Sequence, residues 1–259
     1  MGQGKGYVDP EYLRVAAEQV AQVKRRSYAA MHIQPGDRVL DVGCGPATDT
    51  VRMASLVGNA GKVVGIDADP AMIVEADQRA AQAGVSDCVT HKVGDVLMLP
   101  FGDAEFHSCR SERLFQHLLD PARALAEMAR ITSPDGWVVN LDTDWGSLSI
   151  DCEYIDIAQR LSRILAENVL NNGYAARQLY RLYKQQGFRN ISIELFPTYI
   201  TSYPLGRMIA LLDRSEQFAL ETNQVTSEDL DLWHKALQLA DEAGTFFASV
   251  NMVLVGGQK

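Results

Sequence analysis

The chain is short of the features that mark several large protein classes. Basic charge is scarce: 24 Lys and Arg stand against 33 Asp and Glu over 259 residues, a formal charge of −9. Nucleic acid is therefore not expected as a main partner, because phosphate binding needs a positive field. The one basic cluster, Lys24-Arg25-Arg26, reads as a solvated helix face. No apolar run reaches the ~18 residues of a membrane span. The opening residues Met1 to Gly6 lack a signal-peptide core, and Gly6 stands where a myristoylation signal needs Ser or Thr. Cysteine is sparse and unpatterned. Cys44, Cys88, Cys109 and Cys152 form no CxxC and no metal-ligand spacing, so no metal centre and no disulfide scaffold is expected, and a cytoplasmic location is.

What is present begins with Val39-Leu40-Asp41-Val42-Gly43-Cys44-Gly45-Pro46-Ala47-Thr48. An apolar run ends near a carboxylate, passes two glycines and turns helix-like. Gly43 and Gly45 allow a sharp bend and close approach to a ligand, and the next helix starts with unpaired N–H groups. A second run, Lys62 to Ile66, ends at Asp67. An acid about 20 residues beyond a glycine loop is placed to bind a ribose diol. The third glycine of a dinucleotide fingerprint is missing, since Thr48 occupies its position, which argues against a nicotinamide dehydrogenase.

Strand and helix patterns then alternate. A helix is expected over 11–31, strands near 38–42, 62–67, 88–93 and 105–110, and helices over 48–57 and 70–83. Asp69-Pro70 and Asp120-Pro121 pair an N-cap with a first-turn proline. A turn at 133–136 precedes a strand at Trp137–Leu141. This order predicts a parallel sheet with helices on both faces. Beyond Asp142 the rhythm changes to helical blocks over 151–186 and 204–242, the latter interrupted near Asn223, with strands at 191–196 and 246–255. The expected division is an N-terminal helical lid (1–34), a ligand-binding core (35–146), a helical cap insertion (147–187), and a closing part of the sheet (188–259) with a second insertion at about 204–243.

The succession Asp41-Val42-Gly43-Cys44-Gly45, Gly65-Ile66-Asp67, Gly94-Asp95-Val96 and Pro134-Asp135-Gly136 resembles the class I S-adenosylmethionine-dependent methyltransferases. Within them it is similar to the small-molecule branch related to ubiquinone and menaquinone methyltransferases. The resemblance implies an α/β, Rossmann-like, seven-stranded, mostly parallel sheet with its last strand antiparallel, plus an inserted helical cap. It implies S-adenosylmethionine as cofactor. Asp41, Gly43, Cys44 and Gly45 would lie under its methionine and ribose parts. Asp67 would bind the ribose hydroxyls, Ala68 and Met72 would flank the adenine, and Asp95 and Val96 would contact that ring. Arg110 and Ser111 would line the methionine end. Two departures stand out: Ala47 where the family often has glycine, and His107 where it often has aspartate.

The implied reaction is methyl transfer to a small organic acceptor at O, N or C. His117 is the candidate general base, since its ordinary pKa suits proton removal, although a structural role is open to it. Asp142 and Trp145, at the end of the fifth strand, are candidate acceptor contacts. Tyr7, Tyr12 and Phe246 are candidates from the lid and the cap. A non-catalytic partner subunit with the same fold is the main alternative. An RNA-directed enzyme is disfavoured, because Arg110-Ser111-Glu112-Arg113 stands where an Asn/Asp-Pro-Pro-aromatic motif would be. Monomer and homodimer both remain open.

Overall fold

The computed structural model describes residues 21–259. Seven strands form one sheet: β1 (Arg38–Val42), β2 (Lys62–Asp67), β3 (Val89–Val93), β4 (Phe106–Glu112), β5 (Thr132–Ile150), β6 (Arg189–Ile200) and β7 (Ala248–Gln258). Their spatial order is β3-β2-β1-β4-β5-β7-β6. The first five strands are mutually parallel, while β7 runs antiparallel to both β5 and β6. The fold class expected from the sequence is thus the one observed. In register, Asp41 of β1 lies between Gly65 of β2 and Arg110 of β4. Two functional candidates, Asp41 and Arg110, are therefore set side by side near the carboxyl ends of neighbouring strands.

Helices cover both faces. On one side lie α1 (Ala21–Ala30), α2 (Thr48–Val57) and α3 (Pro70–Gln82), whose Val23, Met53 and Ala80 pack with Val39, Val139 and Leu254. On the other lie α4 (Pro121–Ile131) and α6 (Ala175–Gln185), packed through Met128, Leu179 and Tyr183 on Leu40, Val138 and Val253. The neighbours Val39 and Leu40, or Val138 and Val139, bury on opposite faces, so the strands read as unbroken apolar runs. The expected caps form: Asp69 accepts from Ala71 N at 2.9 Å and Asp120 from Arg123 N at 3.0 Å, each ahead of a first-turn proline.

A third apolar cluster lies beyond the ends of the parallel strands. It joins α5 (Ile155–Ile164), the π-helical turn Leu165–Val169, α7 (Tyr203–Ile209), α8 (Leu212–Glu221) and α9 (Ser227–Glu242) around Trp233, Leu161 and Leu212. This is the helical cap. Its floor is sheet, where the sequence suggested otherwise: β5 continues past Leu141 to Ile150, pairing Asp142 with Val253 and, after an irregularity, Ile150 with Ala248. Polar residues at 142–144 and Gly146 break the apolar pattern that marks a strand, yet antiparallel pairing with β7 holds 142–144 and, beyond the irregularity that contains Gly146, 149–150 in the sheet. The helical block over 204–242 breaks near Asn223, as expected, and once more at Leu211; the block over 151–186 is also divided. Leu211 and Asn223 both adopt positive φ (48° and 54°), which ends one helix before the next. At Gly173 a Cβ would stand 2.3 Å from the Ala166 backbone, so the chain turns closely there between the π turn and α6.

Candidate functional site

The glycine loop is anchored to the adjacent strand. The N–H groups of Gly43 and Cys44 both donate to Ile66 O, at 2.8 and 3.0 Å. Gly43 and Gly45 hold φ of 71° and 49°, the left-handed region that glycine enters freely. Asp67 faces this loop from the end of β2. Its Oδ2 accepts from Gly45 N at 2.9 Å and its Oδ1 from Asp69 N at 3.0 Å. A carboxylate offers about four lone-pair sites, so each oxygen keeps one for a ligand. Gly94 N donates to Asp67 O at 2.9 Å, which brings the β3 turn alongside. There Asp95 caps the short 3-10 turn Val96–Met98 by accepting from Leu97 N at 2.8 Å, with Val96 buried and the acid exposed. Met72 is buried in α3, one turn beyond Ala68. Cys44 is buried and its thiol is pushed up by that burial and by Asp41 and Asp67, so it is no thiolate.

Behind the loop lies a buried network of charges. Arg110 is fully enclosed and meets Asp41 at 3.4 Å, Asp49 at 3.1 Å and Glu112 at 2.9 Å. From α1, Lys24 reaches Asp49 at 2.7 Å and Glu112 at 3.1 Å. Tyr28 donates its hydroxyl to Asp49 and lies under the Arg110 guanidinium, 5.1 Å from ring centre to Cζ. Burial works against the charge of Asp49, but Arg110 and Lys24 outweigh it and hold the carboxyl well below its usual range. Asp41 has only the longer contact to Arg110, and burial pushes it up to about 7.

Two readings of the sequence change here. Lys24 does not belong to a solvated face; it is buried, whereas Arg26 is exposed and pairs with Glu194 on β6. Consecutive helix positions point about 100° apart, so a run of three basic residues cannot share one face. Arg110 and Ser111 also part company, as strand neighbours must. Ser111 Oγ accepts from Asn140 Nδ2 at 2.6 Å, and Asn140 in turn accepts from Tyr183 on α6. The roles of Asp49 and Glu112 in this network were not legible in the sequence, although Asp49 stands as an acid in the first turn after the glycine loop.

At the ends of β4 and β5 a second set of polar groups is tied to backbone. Asp142 accepts from Phe115 N at 2.7 Å and Thr143 N at 3.0 Å; burial pushes its carboxyl up to about 7 despite both bonds. Trp145 is buried and donates from Nε1 to Gln116 Oε1 at 2.6 Å. His117 ends the 3-10 turn Phe115–His117, with Nε2 3.1 Å from the Gln116 amide nitrogen and Nδ1 buried without a partner among the described residues. Burial, with Arg113 and Arg214, lowers His117 to about 4. Phe246 is buried in the cap against Tyr203, at 5.6 Å between ring centres. Tyr7 and Tyr12 lie outside the described residues.

A cavity of about 430 Å³ opens between α1, the end of β4, the later half of β5, strands β6 and β7, and α7. Trp145 is one of its walls, with Val23, Phe196, Tyr199 and Leu205, and Arg113 faces it from the end of β4. Asp142, His117 and Phe246 are not in its lining. Among the described residues no cluster of His, Cys, Asp or Glu is suited to hold a metal ion, and no helix is long and apolar enough to cross a membrane.

A glycine loop with an acid facing it at the carboxyl edge of a parallel sheet is the arrangement of an α/β nucleoside-binding domain, and the cavity adds room for a second ligand. Residues 33–194 match the family model of a methyltransferase domain, and the chain belongs to that family. It is 31% identical to an uncharacterized 37.1 kDa protein in transposon TN4556 of Streptomyces fradiae, over 88% of this chain and 64% of that protein. It is 30% identical to demethylmenaquinone methyltransferase of Symbiobacterium thermophilum, over 49% of this chain and 51% of that one. The chain thus spans between about half and two thirds of these two relatives. Phosphoethanolamine N-methyltransferase 2 of Haemonchus contortus, solved with S-adenosyl-L-methionine, shares the fold: TM-score 0.57, 20% identity, 91% of this chain and 52% of that chain.

Proposed function

We propose that the chain transfers a methyl group from S-adenosylmethionine to a small organic acceptor held in the cavity. The observation that carries this reading is Asp67: one carboxylate oxygen fixes the glycine loop through Gly45 N, and both oxygens keep a lone pair for vicinal hydroxyls. Gly43 and Gly45 present bare backbone to the ligand, Ala68 and Met72 would flank its adenine, and Asp95 would accept from the ring's amino group. Bound there, the cofactor would supply an activated methyl group.

The chain's own part is positioning. The Lys24–Asp49–Arg110 network ties α1 and α2 to β4 beside the loop, and Trp145 with its Gln116 bond gives the cavity a rigid wall. Holding two reactants in line supplies much of the acceleration such a displacement needs. A dedicated base is then optional, and His117 is neutral at physiological pH. Arg110 and Asp142 act as braces in this reading.

Calorimetric titration of S-adenosylmethionine and S-adenosylhomocysteine, with NAD as control, tests it on wild type and Asp67→Ala. Micromolar binding of both sulfur nucleosides, lost in the variant and absent for NAD, is expected. A folded protein that binds neither would leave the non-catalytic partner subunit as the better reading.

A further inference from the structure

The cavity between α1, β6, β7 and α7 carries a chemical preference of its own. Its walls are largely apolar: Trp145, Phe196, Leu205, Val250 and Met252 face it from four different elements. Arg113 is the one formally charged residue among the described lining residues, and no carboxylate joins it. An ammonium-bearing guest would find no counter-charge there and would meet a cation.

Arg113 has binding capacity to spare. A guanidinium carries five N–H donors. The recorded carboxylate contact is Nη2 to Glu112 Oε1 at 3.3 Å, and Lys24 and Arg110 already crowd the other oxygen of Glu112, at 3.1 and 2.9 Å. Arg113 Nε is buried with no hydrogen-bond partner among the described residues, and the side chain is only 11% exposed. A buried donor left unpaired is costly and needs an explanation. The backbone also holds Arg113 at φ 51°, a conformation that a non-glycine residue adopts at a cost. Its N–H is fixed to Leu141 O at 2.7 Å, which keeps the residue at the cavity edge.

We propose that this cavity takes an apolar acceptor bearing one acidic oxygen group, a carboxylate or an ionised phenol or enol, anchored on the Arg113 guanidinium. Cationic amines are the class it rejects. The term acceptor rests on the methyl-transfer reading above; the binding preference does not.

Two fluorescent probes of one skeleton test it, 8-anilinonaphthalene-1-sulfonate as the apolar anion and N-phenyl-1-naphthylamine as its uncharged counterpart. Wild type is expected to bind the anion more tightly. Arg113→Met should weaken the anion at least about tenfold, the factor one charge-assisted hydrogen bond carries. The uncharged probe should change less than about twofold. Arg113→Lys, which keeps the charge beside Glu112, should retain most of the anion affinity and guards against a folding defect in Arg113→Met. Leu205→Trp, which fills the cavity, should abolish both. Equal loss of both probes in Arg113→Met, retention of the anion there, or binding that survives Leu205→Trp would overturn the proposal. S-adenosylmethionine titration of the same samples separates the two readings: probe selectivity without nucleoside binding would retain the anion site and refute methyl transfer.

Discussion

Lys24 of α1 lies 2.7 Å from Asp49 of α2, and both side chains are about nine-tenths buried. This pair joins the helix that precedes the sheet to the first helix after the glycine loop. Tyr28 and Arg110 complete the shell around the same carboxylate. Removing one member of a buried ionic set leaves its partners charged and unpaired, which is costlier than never having built the set.

Arg110→Met should therefore destabilise the fold by about 3–5 kcal/mol, since Asp41 and Asp49 lose their shared cation. Urea denaturation measures it. A loss below about 1 kcal/mol would mean that water reaches these carboxylates.

Asp142 gives a pH signature. With a folded pKa of about 7 against about 3.9 unfolded, the folded chain holds a proton between these values that the unfolded chain releases. Its effect on stability is thus unfavourable as pH rises from about 4 to 7, and complete above 7; Asp41 acts in the same direction. Asp142→Asn should flatten the stability profile in that window. It should also cost about 1–3 kcal/mol where Asp142 is best accommodated, near pH 4, because an amide cannot accept from both Phe115 N and Thr143 N. An unchanged slope would contradict the raised pKa.

His117 acts with the opposite sign. Its folded value of about 4 lies below the unfolded 6.5, so the unfolded chain binds the extra proton and stability grows as pH rises through that interval. Proton NMR of the imidazole signals should find His117 titrating near 4, assigned by its loss in His117→Asn. A midpoint near 6.5 would place the ring in water.

Two small residues near the loop should respond differently. A Cβ on Gly65 would stand 2.6 Å from His91 Cδ2 and 2.8 Å from Cys44 Sγ, so Gly65→Ala should cost about 1–3 kcal/mol by overpacking. Ala47 is buried at φ 66°, a left-handed position where glycine relieves strain while forfeiting a buried methyl and some unfolded-state restriction. These terms oppose, and Ala47→Gly should change stability by less than about 1 kcal/mol in thermal or urea unfolding. The departure from the family pattern at this position is thus physically mild.

The parts of the molecule legible in the sequence are those whose physics is local. The strand that ends near Asp41, the two glycines beyond it and the N-caps Asp69 and Asp120 each declare themselves within a few residues. Asp67 stood out because it closes the apolar run that starts at Lys62, about 20 residues beyond the glycine loop, whereas Asp95 follows a mixed polar stretch and entered only through the family resemblance. The parallel sheet with helices on both faces followed from the alternation of these units, while the antiparallel last strand came with the family resemblance.

Tertiary structure decided everything that depends on a distant neighbour. Lys24 is buried because α1 packs against β5 and β7, and a charge becomes tolerable there only through Asp49 and Glu112, both far along the chain. The long β5 exists because β7, which begins about 100 residues later, pairs with residues 142–144 and 149–150. Arg113 gains its meaning from the apolar walls brought by β6, β7 and α7. Hydrogen bonds to near neighbours and side-chain periodicity are written in short stretches of sequence. Burial, which sets the pKa values and the cavity's preference for charge, belongs to segments that meet only on folding.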